Sequence, residues 1–290
     1  MTAVCIATYN HASYLSQAIE SVRMQVCDEP VRIYIGDDAS TDGTAEICRK
    51  YADEDKRIVY VRHEKNIGVV ANTLALYRRI IADGCEYVAM LDGDDYWTDP
   101  HKLQRQTDWL RSHPETGFVH TAAEGQGQAA VPTGDLSRRY DLAGARQTNS
   151  TVLFRTDLLD EAELDEIERQ GFPVLDYPLY GVFSQRTSFG YLPEPTAVWR
   201  EHVSVSRPAS VGAQLRYKKE RLRMWHWLDK KYNGYFHFRR YRAILWYLWQ
   251  IFYILFAQIK KKLYRRHAPS LTGGFPPKVR SHRAAHTQIK

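Results

Sequence analysis

The sequence predicts an α/β protein with a mostly parallel central sheet flanked by helices. Short apolar runs of strand length alternate with amphipathic, helix-length segments from the N-terminus to about residue 121. Three of the runs end in a polar cluster, at residues 8–11, 37–44 and 92–95. In sheets of this kind ligands bind outside the carboxyl ends of the strands, near a switch in strand order. The three clusters are therefore expected in one crevice. The chain has 290 residues, 44% of them hydrophobic, enough for one large body with a real core.

Thr2-Ala-Val-Cys-Ile-Ala-Thr8 is short and apolar, a buried strand, and Thr8-Tyr9-Asn10-His11 ends it. Ser13 reads as the N-cap of a helix to about Val26, with Leu15, Ala18, Ile19 and Val22 on one face. After Pro30, Val31–Gly36 is the second strand, followed by Asp37-Asp38-Ala-Ser-Thr-Asp42-Gly-Thr44 and a helix to about Ala52, with Asp42 as its cap. Ile58–Val61 is a third strand, Asn66-Ile67-Gly68 a turn, and Val69–Ala82 a third helix stopped by Gly84. Tyr87–Met90 reads as a buried strand running into Asp92-Gly93-Asp94-Asp95.

Carboxylates crowded at the end of a buried strand repel each other and lose solvation, which a divalent cation among them relieves. The alternative for Asp92, Asp94 and Asp95 is a loop of helix caps. For Asp99 before Pro100 the cap reading is preferred, because Pro suits the first helical position. Pro100–Ser112 is a fourth helix, and Gly117–Thr121 a further strand. Residues 124–145, rich in Gly, Gln, Ala and Pro, read as a surface excursion. Thr148–Phe154 reads as a strand and Asp157–Gln170 as a charged helix capped by Asp157. Asp176 stands in a short turn before a helix near Pro178, and Gly190–Trp199 reads as an edge or irregular strand because of Pro193 and Pro195.

Charge is unevenly distributed. Residues 1–207 carry 21 Lys and Arg against 32 Asp and Glu, whereas residues 208–290 carry 19 against 2. An acidic body with a basic tail suggests two jobs in two places. Cys5, Cys27, Cys48 and Cys85 form no CxxC pair and read as reduced thiols, as in a cytosolic body. The first strand begins almost at Met1, so no signal peptide is expected.

The ordered pieces Ala7-Thr8-Tyr9-Asn10, Asp37-Asp38-Ala39-Ser40-Thr41-Asp42-Gly43-Thr44, Asn66-Ile67-Gly68, Leu91-Asp92-Gly93-Asp94-Asp95-Tyr96-Trp97, Asp176-Tyr177-Pro178-Leu179 and Trp199-Arg200-Glu201-His202 together resemble an inverting family-2 glycosyltransferase of GT-A fold. The resemblance covers roughly residues 2–207, and Lys102-Leu103 with Gln106 is similar to a bacterial subgroup that builds surface polysaccharides. Many members carry Arg-Asn where this chain has Ala71-Asn72, which removes one Arg near the sugar or phosphate.

The resemblance implies transfer of a sugar from a nucleotide diphosphate sugar, a UDP-sugar first, to a hydroxyl of a glycan or lipid-linked acceptor, with inversion. It implies Mn²⁺ or Mg²⁺, with Asp94 as direct ligand, Asp92 on the ribose or on the metal through water, and His202 as a further metal or diphosphate ligand or else a surface residue. Asp95 is left between the sugar and the following helix. Thr8, Tyr9, Asn10, Asn66, Gly68 and Gly93 fall to donor binding, and Arg200, Ser204 and Ser206 can donate to phosphate. Asp38 would accept from the base, and Asp37 is either a nucleotide contact or a structural acceptor. Asp176 is the candidate general base, with an N-cap role as its alternative. A sugar-phosphate nucleotidyltransferase would want a Gly-rich basic loop after the first strand, which Thr8-Tyr9-Asn10-His11 is not; an inactive nucleotide-sugar-binding protein at a membrane is the other alternative.

The domains expected are the glycosyltransferase body at 1–207, a basic aromatic helical region at 208–266 and a disordered tail at 267–290. Ala243–Ile259 runs 17 residues without a charge, between Arg239, Arg240 and Arg242 and Lys260, Lys261 and Lys262. A spanning helix needs about 20 apolar residues. An interfacial helix on an anionic leaflet is preferred, a core or homo-oligomer helix comes second and a true span third. The uncharged run argues against nucleic acid as partner. The expected place is the cytoplasmic side of the bacterial inner membrane, peripheral or with one inserted helix.

Overall fold

The computed structural model describes residues 1–125, 148–200 and 210–236, together with 241, 244–245, 248–249, 251–253 and 256. It divides into two compact units, Met1–Leu248 and Trp249–Lys290. The first half of the first unit alternates strand and helix as expected. Its elements are β1 (Thr2–Thr8), α1 (Leu15–Arg23), β2 (Val31–Asp37), α2 (Thr44–Glu54), β3 (Ile58–Arg62), α3 (Val69–Ala82) and β4 (Tyr87–Asp92). There follow β5 (Tyr96–Trp97), α4 (Lys102–Ser112), β6 (Thr116–Gly125), β7 (Val152–Arg155), α5 (Glu161–Gln170), α6 (Asp176–Phe183), β8 (Ser188–Trp199) and α7 (Val211–Lys231).

The eight strands form one sheet in the order β3-β2-β1-β4-β7-β6-β8-β5. β3, β2, β1 and β4 are mutually parallel, β7 runs antiparallel between β4 and β6, and β8 lies parallel to β6. Pairing of β6 with β8 shifts register around Thr121 and Ala122, where Pro193 and Pro195 interrupt the ladder.

Period-two alternation divides the sheet's side chains between two cores. Ala3 and Cys5 of β1 face a core with Leu74, Tyr77, Phe118, Phe154 and Phe183, whereas Val4 and Ile6 face a core with Leu15, Ile19, Leu103 and Leu110. All four cysteines are free thiols, three of them buried.

Several local expectations change. Ser13 does not cap α1; the His11 carbonyl accepts from both the Tyr14 and Leu15 N–H at 2.9 Å, so a backbone turn opens the helix. Residues 148–154 are not all strand, because 149–151 close a 3-10 turn before β7. A second 3-10 turn at 156–158 displaces the start of α5, which is capped by Asp160 rather than Asp157. Asp176 is the first residue of α6.

The body also runs beyond residue 207. On α7, Met224, Trp225 and Leu228 are buried with Phe236 in the first core, and a Cβ on Gly181 of α6 would lie 2.6 Å from a Leu228 methyl. Residues 124–125 close β6, while residues 126–145 of the expected surface excursion, the tail at 267–290 and most of 243–259 lie outside the described residues. Among the described residues no helix is long and apolar enough to cross a membrane.

Candidate active site

Strand register brings the polar clusters together. Thr8 at the end of β1 pairs with Asp37 at the end of β2, and Ala7 pairs with Asp92 at the end of β4. The two neighbours of β1 thus deliver their carboxylates to one edge of the sheet, the position expected of a doubly wound fold.

The first two loops are strapped to each other. Asn10 takes a left-handed conformation (φ 55°), its N–H donates to Ser40 Oγ at 2.9 Å, and its Oδ1 accepts from the Thr41 N–H at 2.8 Å. The His11 N–H donates to Thr44 Oγ1 at 3.0 Å, and the Ala12 N–H to Asp42 Oδ2 at 3.0 Å. Asp42 Oδ1 also accepts from the Thr44 N–H at 3.1 Å, but Asp42 stands one residue ahead of the N-cap position, which Gly43 occupies instead. Tyr9 stands out at the rim, 43% exposed. The third loop closes against the first at Gly93, where a Cβ would fall 2.8 Å from Thr8 Oγ1 and 2.9 Å from His11 Nδ1. Only glycine permits that approach.

Asp37 and Asp38 hold the scaffold. Asp37 is fully buried; its Oδ1 accepts from the Ser40 N–H, and its Oδ2 from Tyr60 Oη at 2.9 Å and Arg62 Nε at 3.3 Å. Asp38 accepts the Ile67 N–H on Oδ1 at 2.6 Å and the Gly68 N–H on Oδ2 at 2.8 Å. Its carboxylate shapes the Asn66-Ile67-Gly68 turn, with Asn66 exposed and Gly68 at φ 90° before α3. Asn72, at the place of the missing Arg-Asn pair, is buried and donates to the Gly36 carbonyl at 2.8 Å.

Asp92, Asp94 and Asp95 bring carboxylate oxygens within 4.8 Å of one another. Their environments differ. Asp95 is buried, with Oδ2 accepting from Ser150 Oγ at 2.6 Å and Oδ1 from the Arg200 N–H at 3.1 Å. Burial, then the Asp92 and Asp94 charges, holds its pKa well above the carboxylate range. Asp92 gives Oδ1 to Asn149 Nδ2 at 2.9 Å, and burial followed by the Asp94 charge pushes its pKa up to about 7. Hard oxygen donors crowded at a strand end fit a small divalent cation. Asp92 and Asp94 would hold it, because Asp95 already has a protein donor on each oxygen.

Asp176 opens α6. Burial raises its pKa, against the opposing Arg221 charge, and its own charge contributes to raising that of Asp92. Arg221, on α7, lies 3.7 Å from the centre of the neighbouring Tyr177 ring. Arg200 does not extend as a free phosphate donor: it donates to the Asp94 carbonyl and Gln17 Oε1 and lies over Tyr14 and Tyr96, at 5.1 and 4.7 Å from the ring centres. His202, Ser204 and Ser206 lie outside the described residues.

A supporting layer went unread in the sequence. Ser150 Oγ accepts from the Asp92 N–H at 3.1 Å while donating to Asp95, and its carbonyl accepts from Trp97 Nε1 at 2.8 Å. Lys102, fully buried, sets Nζ 4.4 Å from the Trp97 ring centre and donates to Gln106 Oε1. Gln106 in turn donates to the Thr151 carbonyl at 2.9 Å. The one visible signal was Lys102 and Gln106 four apart on the helix face that also carries Leu103 and Leu110.

This fold and site define a class, the GT-A glycosyltransferases. Residues 3–157 match Glycosyl transferase family 2, and the chain belongs to that family. An uncharacterised protein of Mycobacterium tuberculosis is 34% identical over 209 residues, 67% of this chain and 57% of that one. The chain thus spans little more than half the length of this relative. The putative teichuronic acid biosynthesis glycosyltransferase TuaG of Bacillus subtilis is 38% identical over 173 residues, 58% of this chain and 65% of its own. Among solved structures, S. aureus TarS 1–349 in complex with UDP-GlcNAc shares the fold with a TM-score of 0.60 at 18% identity, over 77% of this chain and 65% of that one. Mannosyltransferase PcManGT from Pyrobaculum calidifontis, in complex with GDP-Man and Mn²⁺, gives 0.55 at 17% identity, over 91% and 81%.

Proposed function

We propose that the chain transfers a sugar from a nucleotide diphosphate sugar, a UDP-sugar first, to a hydroxyl of a glycan or lipid-linked acceptor, with inversion and a divalent cation. The observation that carries this reading is the meeting of Asp92 and Asp94 with the Thr8 loop at the carboxyl ends of β1 and β4. A cation on Asp92 and Asp94 would supply positive charge against the donor's diphosphate. Thr8, Tyr9 and Asn10 line the side of the crevice where base and ribose fit. In this reading Asp37 and Asp38 shape the wall rather than touch the nucleotide, because each oxygen already has a protein donor.

Asp176 accepts the acceptor's proton. Burial raises its proton affinity, which suits a base, and the Arg221 charge opposes that rise. Inversion would require a hydroxyl deprotonated by Asp176 to attack the sugar opposite its leaving diphosphate. The family match favours this reading over the nucleotidyltransferase one.

The C-terminal region is proposed to lie on an anionic membrane surface, on the cytoplasmic side of a bacterial inner membrane, where a lipid-linked acceptor is presented. Within the second unit, Trp249, Phe252, Tyr253 and Phe256 are helical and exposed, three and four apart, with Trp249 stacked on Tyr253 and Phe252 on Phe256. An exposed aromatic face flanked in sequence by Arg and Lys fits a headgroup boundary.

The test is a panel of nucleotide sugars with Mn²⁺, assayed for donor hydrolysis and for transfer. Asp176→Asn should lower transfer by about 10²–10⁴-fold while Mn²⁺-dependent UDP binding stays intact. Asp94→Ala should abolish the Mn²⁺ dependence of UDP binding. Full transfer by the first variant removes Asp176 from the mechanism, and unchanged Mn²⁺-dependent binding by the second removes the metal role.

A further inference from the structure

We infer that Asn149 and Tyr180 are positioning residues for the Asp92 carboxylate, joining the helix that carries Asp176 to the cation-binding end of β4. The inference rests on the functional reading above for the roles of Asp92 and Asp176, but the connection itself is a matter of geometry.

Tyr180 Oη donates to Asn149 Oδ1 at 2.6 Å, and Asn149 Nδ2 donates to Asp92 Oδ1 at 2.9 Å. The amide turns its NH₂ toward Asp92 and its oxygen toward Tyr180, the orientation in which Asn149 Oδ1 can accept and Nδ2 can donate. The phenol must then donate. Burial holds the Tyr180 pKa well above its usual value, so it stays a neutral donor at every physiological pH. Its ring cannot swing away, being 2% exposed and packed edge-on against Phe118 at 5.0 Å.

The same short turn grips Asp92 twice. Asn149 holds the side chain, and the next residue, Ser150, accepts from the Asp92 N–H while its hydroxyl donates to Asp95. With its backbone and Oδ1 fixed, Asp92 can offer Oδ2 to a cation in one orientation. Consecutive residues of the turn thus sort the acidic cluster into a ligand, Asp92, and a scaffold group, Asp95.

Tyr180 lies four residues after Asp176, so both project from one face of α6. A shift of α6 that moved the base would pull on Tyr180, then Asn149, then Asp92. The connection sets the separation between the group proposed to take the acceptor proton and the group proposed to hold the donor's cation. That separation decides whether a hydroxyl meets the sugar in line.

The experiment uses the full chain and three variants, Tyr180→Phe, Asn149→Ala and the double variant. Three quantities are measured: Mn²⁺-dependent UDP affinity by calorimetry, Mn²⁺ affinity alone by electron paramagnetic resonance, and melting temperature without metal. Tyr180→Phe keeps the buried ring and removes one hydroxyl. It should weaken Mn²⁺-dependent UDP binding about 3–10-fold with little change in metal-free melting temperature. Asn149→Ala should weaken it at least as much, and the double variant should be no weaker than Asn149→Ala, because both act through one connection.

Unchanged affinity in both single variants, or losses that add in the double one, would overturn the inference. So would a crystal structure of Tyr180→Phe with Asn149 and Asp92 unmoved, a result independent of metal and substrate. Failure of the functional reading looks different. Asp176→Asn with full transfer removes the base but leaves the cycle on Asp92 standing.

Discussion

Lys102 offers a test of the buried layer beneath the acidic loop. The perturbation is Lys102→Met, which keeps the length of the side chain and removes the amine. Burial drives the Lys102 pKa from 10.5 down to about 7, against a smaller upward pull from Asp99. Above pH 10.5 the amine is neutral in both folded and unfolded chains. Between about 7 and 10.5 only the unfolded chain keeps the proton, so each fall in pH favours unfolding. At about 1.4 kcal/mol per pH unit, that window amounts to about 5 kcal/mol. Removing the amine also strips a donor from the buried Gln106 oxygen, which costs about 1–3 kcal/mol. Lys102→Met should therefore be more stable than the natural chain by about 2–4 kcal/mol at pH 6.5, and less stable by about 1–3 kcal/mol near pH 10.5. Urea denaturation of both proteins from pH 6.5 to 10.5 measures the difference, and the other titrating groups cancel in the comparison. A difference that does not vary with pH refutes the buried-amine reasoning.

Two further outcomes follow from the site and its tail. Asp38→Asn sets an amide NH₂ against one of the two N–H groups of Ile67 and Gly68 and should destabilise the chain by about 1–3 kcal/mol; lower UDP affinity at unchanged urea stability would make Asp38 a base contact after all. The full chain should bind vesicles containing anionic lipid far better than neutral ones, with a blue shift of Trp fluorescence, and Trp249→Ser with Phe252→Ser should weaken that binding while leaving donor hydrolysis in solution unchanged. Equal binding to both vesicle types would remove the charge component.

A truncation that separates tail from body must begin beyond Phe236. The composition shift at residue 208 marks where positive charge accumulates, but charge and packing divide at different points. Met224, Trp225 and Leu228 sit four and three apart, and in sequence that stripe reads equally well as a membrane face or a core face. Only the presence of α6 against it decides.

Alternation and spacing made the elements and the meeting of the three polar clusters legible, because strand periodicity and the position of loops after parallel strands are local properties. The 3-10 turn at 149–151 was not legible: its polar residues adjoin an apolar run of strand length, and the strand reading absorbed them. Asp37, Asp38, Asp92, Asp94 and Asp95 are alike as residue types. What separates scaffold from candidate ligand is which distant donor reaches each oxygen: Tyr60 for Asp37, Ile67 and Gly68 for Asp38, Asn149 for Asp92, Ser150 and Arg200 for Asp95. The sequence by itself determined that carboxylates would crowd the carboxyl edge of a parallel sheet. The tertiary structure alone decided which donor reaches each oxygen of Asp37, Asp38, Asp92 and Asp95, because a hydrogen bond requires a donor within about 3 Å, and chain separations of 23 to 105 residues give no hint of that proximity.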